Sequence, residues 1–186
     1  MVTLVVDFSQ LEKHLKVLRD IKNGVPRVLV PTINRTLAAG QTAIKREIRK
    51  RYEIKYSDIP IKKETAHYGN LEGSLTLADH MMELGKFHIS PRGVQKRRPL
   101  KPIFARVRVG KGGRLATGFM TGGLPYAGPW RRVGKSRLPI KKMLTISAPI
   151  MASQPSVAPV IAKVMGDTFE KRLDHEIERV MQQSGK

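Results

Sequence analysis

The chain reads as an α+β protein in which an antiparallel β-sheet packs against N-terminal helices and a long C-terminal amphipathic helix. Three observations predict this. Apolar residues recur at helical intervals near both ends of the chain, short alternating segments punctuated by glycine and proline fill the middle, and the order helix, helix, strands, helix keeps the two kinds of element apart. The 186 residues fit one domain of ordinary size. Within 1–186 we expect an arm and first helix at 1–24, a basic helix at 25–56, a strand-rich basic core with loops at 57–146 and a C-terminal helix at 153–183.

Each element has a local reason. Thr3 to Asp7 alternates weakly and reads as a short strand or arm. Ser9 with Glu12 has capping-box spacing, and Leu11, Leu15, Leu18 and Ile21 follow at helical intervals until Asn23-Gly24 ends the run. Pro26 suits the first turn of a second helix, which carries Ile33, Leu37, Ile44, Ile48 and Tyr52 on one face. Pro31 predicts a kink or break near Val28 to Val30, while Ala38, Ala39 and Gly40 permit close approach of a neighbour. Ser57 to Pro60 reads as a turn or single helical turn, and Gly73 to Ala78 alternates as a strand does.

Ile103 to Val109 is a strand with Arg106 and Arg108 on one face. Gly110 to Gly113 offers a tight connection, and Arg114 to Thr121 is expected to pair back antiparallel. A glycine- and proline-rich irregular loop then carries Tyr126 and Trp130, the candidates for a partner-reaching loop. Trp130 to Val133 and Leu138 to Ile146 read as two further strands joined through Gly134-Lys135-Ser136. Pro155 to Gln183 is the clearest element, with Val157, Ile161, Val164, Met165, Phe169, Leu173, Ile177, Val180 and Met181 forming a broad apolar stripe.

Charge narrows the function. The chain holds 35 Lys plus Arg against 15 Asp plus Glu, a formal net charge of +20. Residues 84–166 contain 17 basic side chains and no carboxylate, so that segment cannot neutralise itself by internal ion pairs. Its potential attracts phosphate or an acidic protein surface. A solvated basic surface kept for solubility is the alternative meaning of such a run. A further cluster, Lys45, Arg46, Arg49, Lys50 and Arg51, closes the second helix, where cations also suit the negative end of the helix dipole.

Several chemistries fail on residue type or spacing. With 40% hydrophobic but only 5% aromatic residues the chain has material for a mainly aliphatic core, and the absence of cysteine removes disulfides, thiolate metal sites and Cys nucleophiles. Met1 is followed by a short apolar run that turns acidic at Asp7, which predicts no signal peptide, and Pro149, Pro155 and Pro159 interrupt the longest uncharged stretch, so no membrane span is expected. Gly134-Lys135-Ser136 resembles the end of a phosphate-binding loop, but Pro129 occupies the position of the required first glycine. His14, His67, His80, His88 and His175 are scattered without metal-site spacing, and Asp79-His80 and Asp174-His175 have no nucleophile elbow beside them. The reading is therefore of a non-enzymatic protein with neither metal nor cofactor. Nucleic-acid contact, where it occurs, is expected to be backbone-directed and indifferent to sequence, since no helix-turn-helix, zinc finger or exposed aromatic platform is legible.

Two blocks point to a family. Ile33-Asn34-Arg35 lies in a helix that runs into a basic end; Arg132-Val133-Gly134-Lys135-Ser136-Arg137-Leu138-Pro139-Ile140 is followed by Ile146-Ser147-Ala148-Pro149-Ile150 and a C-terminal amphipathic helix. Over roughly residues 25–183 this layout resembles the minor tail protein Z family of long-tailed bacteriophages, which includes the lambda-type tail completion protein. The centre, 60–125, matches only in being basic, glycine-punctuated and strand-like.

The resemblance implies a structural virion protein of the head-proximal tail end, assembled in the host cytoplasm, that helps form the head-to-tail junction for DNA passage. It implies a self-assembled ring, with a hexamer as the leading expectation, and neighbours among the tail terminator, tail tube and head-tail connector proteins. In that setting Lys96, Arg97, Arg98, Arg106, Arg108, Arg131, Arg132, Lys135, Arg137, Lys141 and Lys142 are the candidates to face double-stranded DNA or an acidic neighbour. The competing expectation is a sequence-non-specific nucleic-acid-binding protein of nucleoid or ribosomal type.

Overall fold

The computed structural model describes residues 18, 21–95, 102–121 and 128–184. Helices and antiparallel strands combine as α+β, as the sequence predicts. Among the described residues the bounded α-helices are α1 (Gly24–Arg51), the short α2 (Ala148–Ala152) and α3 (Ala158–Gln183), and Leu18 is also helical. Among the described residues the antiparallel strands form four small ladders, two of two strands and two of three, and not one sheet. Strands of three to five residues bury too little for one broad sheet, so each ladder is completed by whatever packs on it. The chain gathers into two compact units: the first takes the chain up to Lys45, Ile61–Leu77 and everything from Ala152, and the second takes Arg46–Pro60 and Ala78–Met151.

In the first unit, Leu18, Val28 and Leu29 are buried with Phe169, Leu173, Ile177 and Val180, so the α3 stripe read from the sequence is the core stripe. Gly40 permits the anticipated close approach: a Cβ there would stand 2.6 Å from the Met165 sulfur. Strands β1 (Ile61–Glu64) and β2 (Ser74–Leu77) pair antiparallel with Glu64 opposite Ser74. Asn34 of α1 ties down the connection between them, donating through Nδ2 to the Ala66 carbonyl at 3.0 Å while its Oδ1 accepts from the Ala66 N–H at 2.9 Å.

Of the kink or break expected near Val28 to Val30, the break does not occur: helix α1 continues through Pro31. Proline removes one N–H, which leaves the Arg27 carbonyl without its helical donor. Arg179 of α3 donates toward that carbonyl at 3.5 Å, and the Arg27 guanidinium donates to Gln183 at 2.8 Å. Arg179 thus offers that carbonyl a donor from α3 in place of the missing N–H. The helix stops at Arg51, one residue before Tyr52, the last residue of its expected apolar face, and inside the 25–56 segment, because Tyr52 bridges to Arg108 and the Glu53 N–H donates to the Val107 carbonyl. At the other end α3 begins at Ala158, with Pro159 in its first turn, and not at 153.

In the second unit, Ile48, Ile59, Met82 and Met151 are fully buried, with Ile54, Phe87, Ile89 and Ile103 around them. Strand β3 (Met81–Glu83) pairs with β10 (Leu144–Ser147). A three-stranded ladder orders β4 (His88–Ser90), β5 (Phe104–Arg108) and β6 (Lys111–Arg114). Another orders β7 (Phe119–Thr121), β8 (Gly128–Arg132) and β9 (Ile140–Lys142).

The hairpin after β5 is tighter than the sequence suggested. Gly110, at φ 74°, turns the chain directly, so Lys111 to Arg114 return along β5 and Phe119 to Thr121 leave to pair with β8. Gly112 and Gly113 therefore lie in a strand, not in the turn. The single strand expected over Leu138 to Ile146 divides at Met143, whose N–H donates to Pro129 and whose carbonyl accepts from Leu84.

Candidate polyanion-binding surface

The charge asymmetry seen along the sequence is sharper in space. The second unit holds 21 of the Lys and Arg residues and 5 of the Asp and Glu, a surplus of 16, against a surplus of 4 in the first. Helix α1 delivers its basic end to the second unit, and with it the acids Glu47 and Glu53.

Those five carboxylates are engaged locally. Glu47, nearly buried, pairs with Lys50 one turn on. Glu53 stands 3.0 Å from the Arg106 guanidinium and 3.8 Å from His88, the first an ion pair without an aligned hydrogen bond. Glu83 accepts from Lys142 at 3.0 Å, Asp79 from Ser147 at 3.2 Å and Asp58 from Ser57 at 3.5 Å. Arg106, Lys142 and Lys50 are thereby partly neutralised within the fold.

The cations left facing outward concentrate on the β8–β9 hairpin. Its register sets Arg131 opposite Lys141 and Arg132 opposite Ile140, and every residue from Arg131 to Pro139 is exposed. Alternation places Arg131 and Lys141 on one face and Trp130, Arg132 and Lys142 on the other. Arg132 lies over the Phe119 ring at 5.4 Å and donates to the Arg137 carbonyl, while the Val133 N–H donates to Pro139 at 3.0 Å, so the base of the tip is internally braced. Arg131, Lys135, Arg137 and Lys141 have no carboxylate partner among the described residues. Exposed Val133 and Leu138 sit between them.

Other expected residues divide differently. Trp130, taken from the sequence as an interface residue, is in β8 and only 9% exposed, so it serves the core. Arg108 is exposed with its guanidinium 6.0 Å from the centre of the Tyr52 ring. In the helix cluster, Arg46 and Arg49 are exposed, Lys45 is half-buried and lies in the first unit, and the Arg51 carbonyl accepts from Val109. Lys96, Arg97, Arg98 and Tyr126 lie outside the described residues.

A cleft of about 610 Å³ brings together cations that sequence reading did not connect. Arg49 is joined there by Lys55, Lys86 and Arg92, with Glu53 and Asp58 as the acids. No local signal marks Lys55 or Lys86, since the segments that carry them meet only through the fold. In the first unit, hydrogen bonding to Lys62 and then to Ser74 holds the Glu64 carboxyl below its ordinary value, and the same contact raises Lys62.

Such a surface can bind and position anions. Among the described residues no group of three His, Asp or Glu gathers as metal ligands do, and no helix is long and apolar enough to cross a membrane. Comparison with known proteins finds no matching family model, no similar curated protein and no similar solved structure.

Proposed function

We propose that this chain is a structural protein of a long-tailed bacteriophage virion, a tail completion or neck component that forms a ring at the head-proximal end of the tail and helps the head-to-tail junction pass DNA. The observation that carries the reading is the surplus of 16 cations in the second unit, with Arg131, Lys135, Arg137 and Lys141 exposed on one hairpin and lacking carboxylate partners among the described residues. Unneutralised cations at that density favour an external polyanion, and their spread suits contact with phosphates over base readout. The resemblance of residues 132–140 to the minor tail protein Z family falls on this same hairpin.

Two measurements test the reading. Each phosphate contact contributes about −0.9 to the slope of log affinity against log salt, so losing Arg131, Lys135, Arg137 and Lys141 to alanine together should flatten that slope on duplex DNA by roughly 3–4. An unchanged slope would remove the hairpin from DNA contact and leave the acidic neighbour as its target. Electron microscopy of phage particles carrying the tagged protein should place it at the head-tail junction. Absence from particles, with monomers coating DNA, would establish the nucleoid-type alternative.

A further inference from the structure

We propose that the free edge of β6 and the groove beside it receive the N-terminal segment Val2 to Phe8 of a second copy of this chain, adding it as a strand. The inference goes beyond the phage reading and does not depend on it, because the occupant is the protein itself.

The groove belongs wholly to the second unit. It holds about 670 Å³, with Ala105, Val107, Leu115 and Ile146 as an apolar floor and Lys111 and Arg114 among its lining, and no carboxylate lines it among the described residues. Among the described residues strand β6 pairs only with β5, and all four of its residues, Lys111 to Arg114, are exposed. An exposed strand edge is a row of backbone donors and acceptors ready to take another strand. The two glycines of β6 differ in a way that fits an occupant on one face. A Cβ at Gly112 would stand 2.5 Å from the Phe104 ring, whereas one at Gly113, opposite Ala105, meets nothing within 4 Å. The groove side of the strand is therefore open.

The occupant must bring a strand-forming backbone, apolar side chains for the floor and no basic side chains to oppose Lys111 and Arg114. Residues 1–12 contain no Lys or Arg, although the chain has 35, and Val2-Thr3-Leu4-Val5-Val6-Asp7-Phe8 is rich in β-branched and apolar types with one carboxylate. Seventeen residues precede the buried Leu18; with the helix expected from Ser9 onward rising ~1.5 Å per residue and the eight residues before it extended at ~3.3 Å per residue, they reach about 40 Å, so Val2 to Phe8 has the length to join a neighbouring subunit. Each subunit would give a segment and receive one, which makes the contact heterologous and able to close a ring.

The cysteine-free chain permits a direct test. A Val5→Cys full-length protein is mixed with a Lys111→Cys full-length protein under mild oxidation. A disulfide-linked dimer should form at least about five-fold more than in a mixture with Lys135→Cys, and adding Gly113→Trp to the Lys111→Cys chain should abolish the excess. Circular dichroism of that variant, matched by a Gly113→Ala protein that keeps the excess, separates a filled groove from a misfolded one. Equal dimer with Lys135→Cys overturns the proposal. So does a Val5→Cys, Lys111→Cys double variant that closes only within its own chain.

Discussion

Arg131 and Lys141 stand directly opposite one another in the β8–β9 ladder, cation against cation, on the exposed face of the hairpin. Like charges placed so oppose the folding of the strands that carry them. The same register gives Lys142 a carboxylate in Glu83 and lays Arg132 on Phe119, so one face of the hairpin is internally engaged, while Arg131 and Lys141 on the other have no carboxylate partner among the described residues.

Replacing one member of that pair should improve the isolated protein and impair its binding. Arg131→Glu turns the cross-strand pair attractive, which is expected to add about 0.2–1 kcal/mol, or roughly 1–4 °C in melting temperature for a chain of this size. Affinity for duplex DNA or for an acidic partner should fall in the same variant. Calorimetry and a binding titration at one ionic strength check both signs; a loss of stability would show that Arg131 has a structural role.

Asn34 joins α1 to the backbone of Ala66 through both ends of its amide. Ala66 is only 4% exposed, so removing the partner leaves a buried N–H and carbonyl unmet. Asn34→Ala should cost about 1–3 kcal/mol in urea unfolding. Asn34→Asp, which keeps the acceptor but loses the donor, should also destabilise, because the Ala66 carbonyl would then face a carboxylate.

The bond that Arg179 offers to the Arg27 carbonyl has value only while Pro31 is present. Pro31→Ala restores the helical donor and should raise stability, since proline inside a helix costs about 3 kcal/mol when nothing compensates. Arg179→Ala should then be less damaging in the Pro31→Ala background than in the parent. A double-mutant cycle by chemical denaturation measures the coupling. Additive effects would mean that the carbonyl is satisfied in another way.

Glu64 and Lys62 give a pH dependence of definite sign. The carboxyl is held below its ordinary 4.5 by Lys62 first and Ser74 second, so its contribution is present above that value and is lost as pH falls through the lower, folded value. Lys62 is raised above 10.5 by Glu64, so its contribution is complete below that value and disappears as pH rises through the higher, folded one. Glu64→Gln should therefore lower the urea midpoint slightly at pH 7 and leave it unchanged in strong acid. The pair is exposed, so added salt should shrink even the neutral-pH difference.

The sequence by itself determined the amphipathic stripe of α3, the α+β order of elements, the basic surplus and the lack of cysteine chemistry, because periodicity and composition act over a few neighbouring residues. It also made plain the close approach at Gly40 and the basic end of α1. Only the tertiary structure decided which cations remain available. Arg106 meets Glu53 and Lys142 meets Glu83 across 53 and 59 positions of chain, and Arg131 meets Lys141 through a strand register. The continuity of α1 through Pro31 belongs to the same class, since its replacement donor comes from a helix 152 positions away. Electrostatic pairing and backbone satisfaction depend on distance in space, which local pattern does not encode.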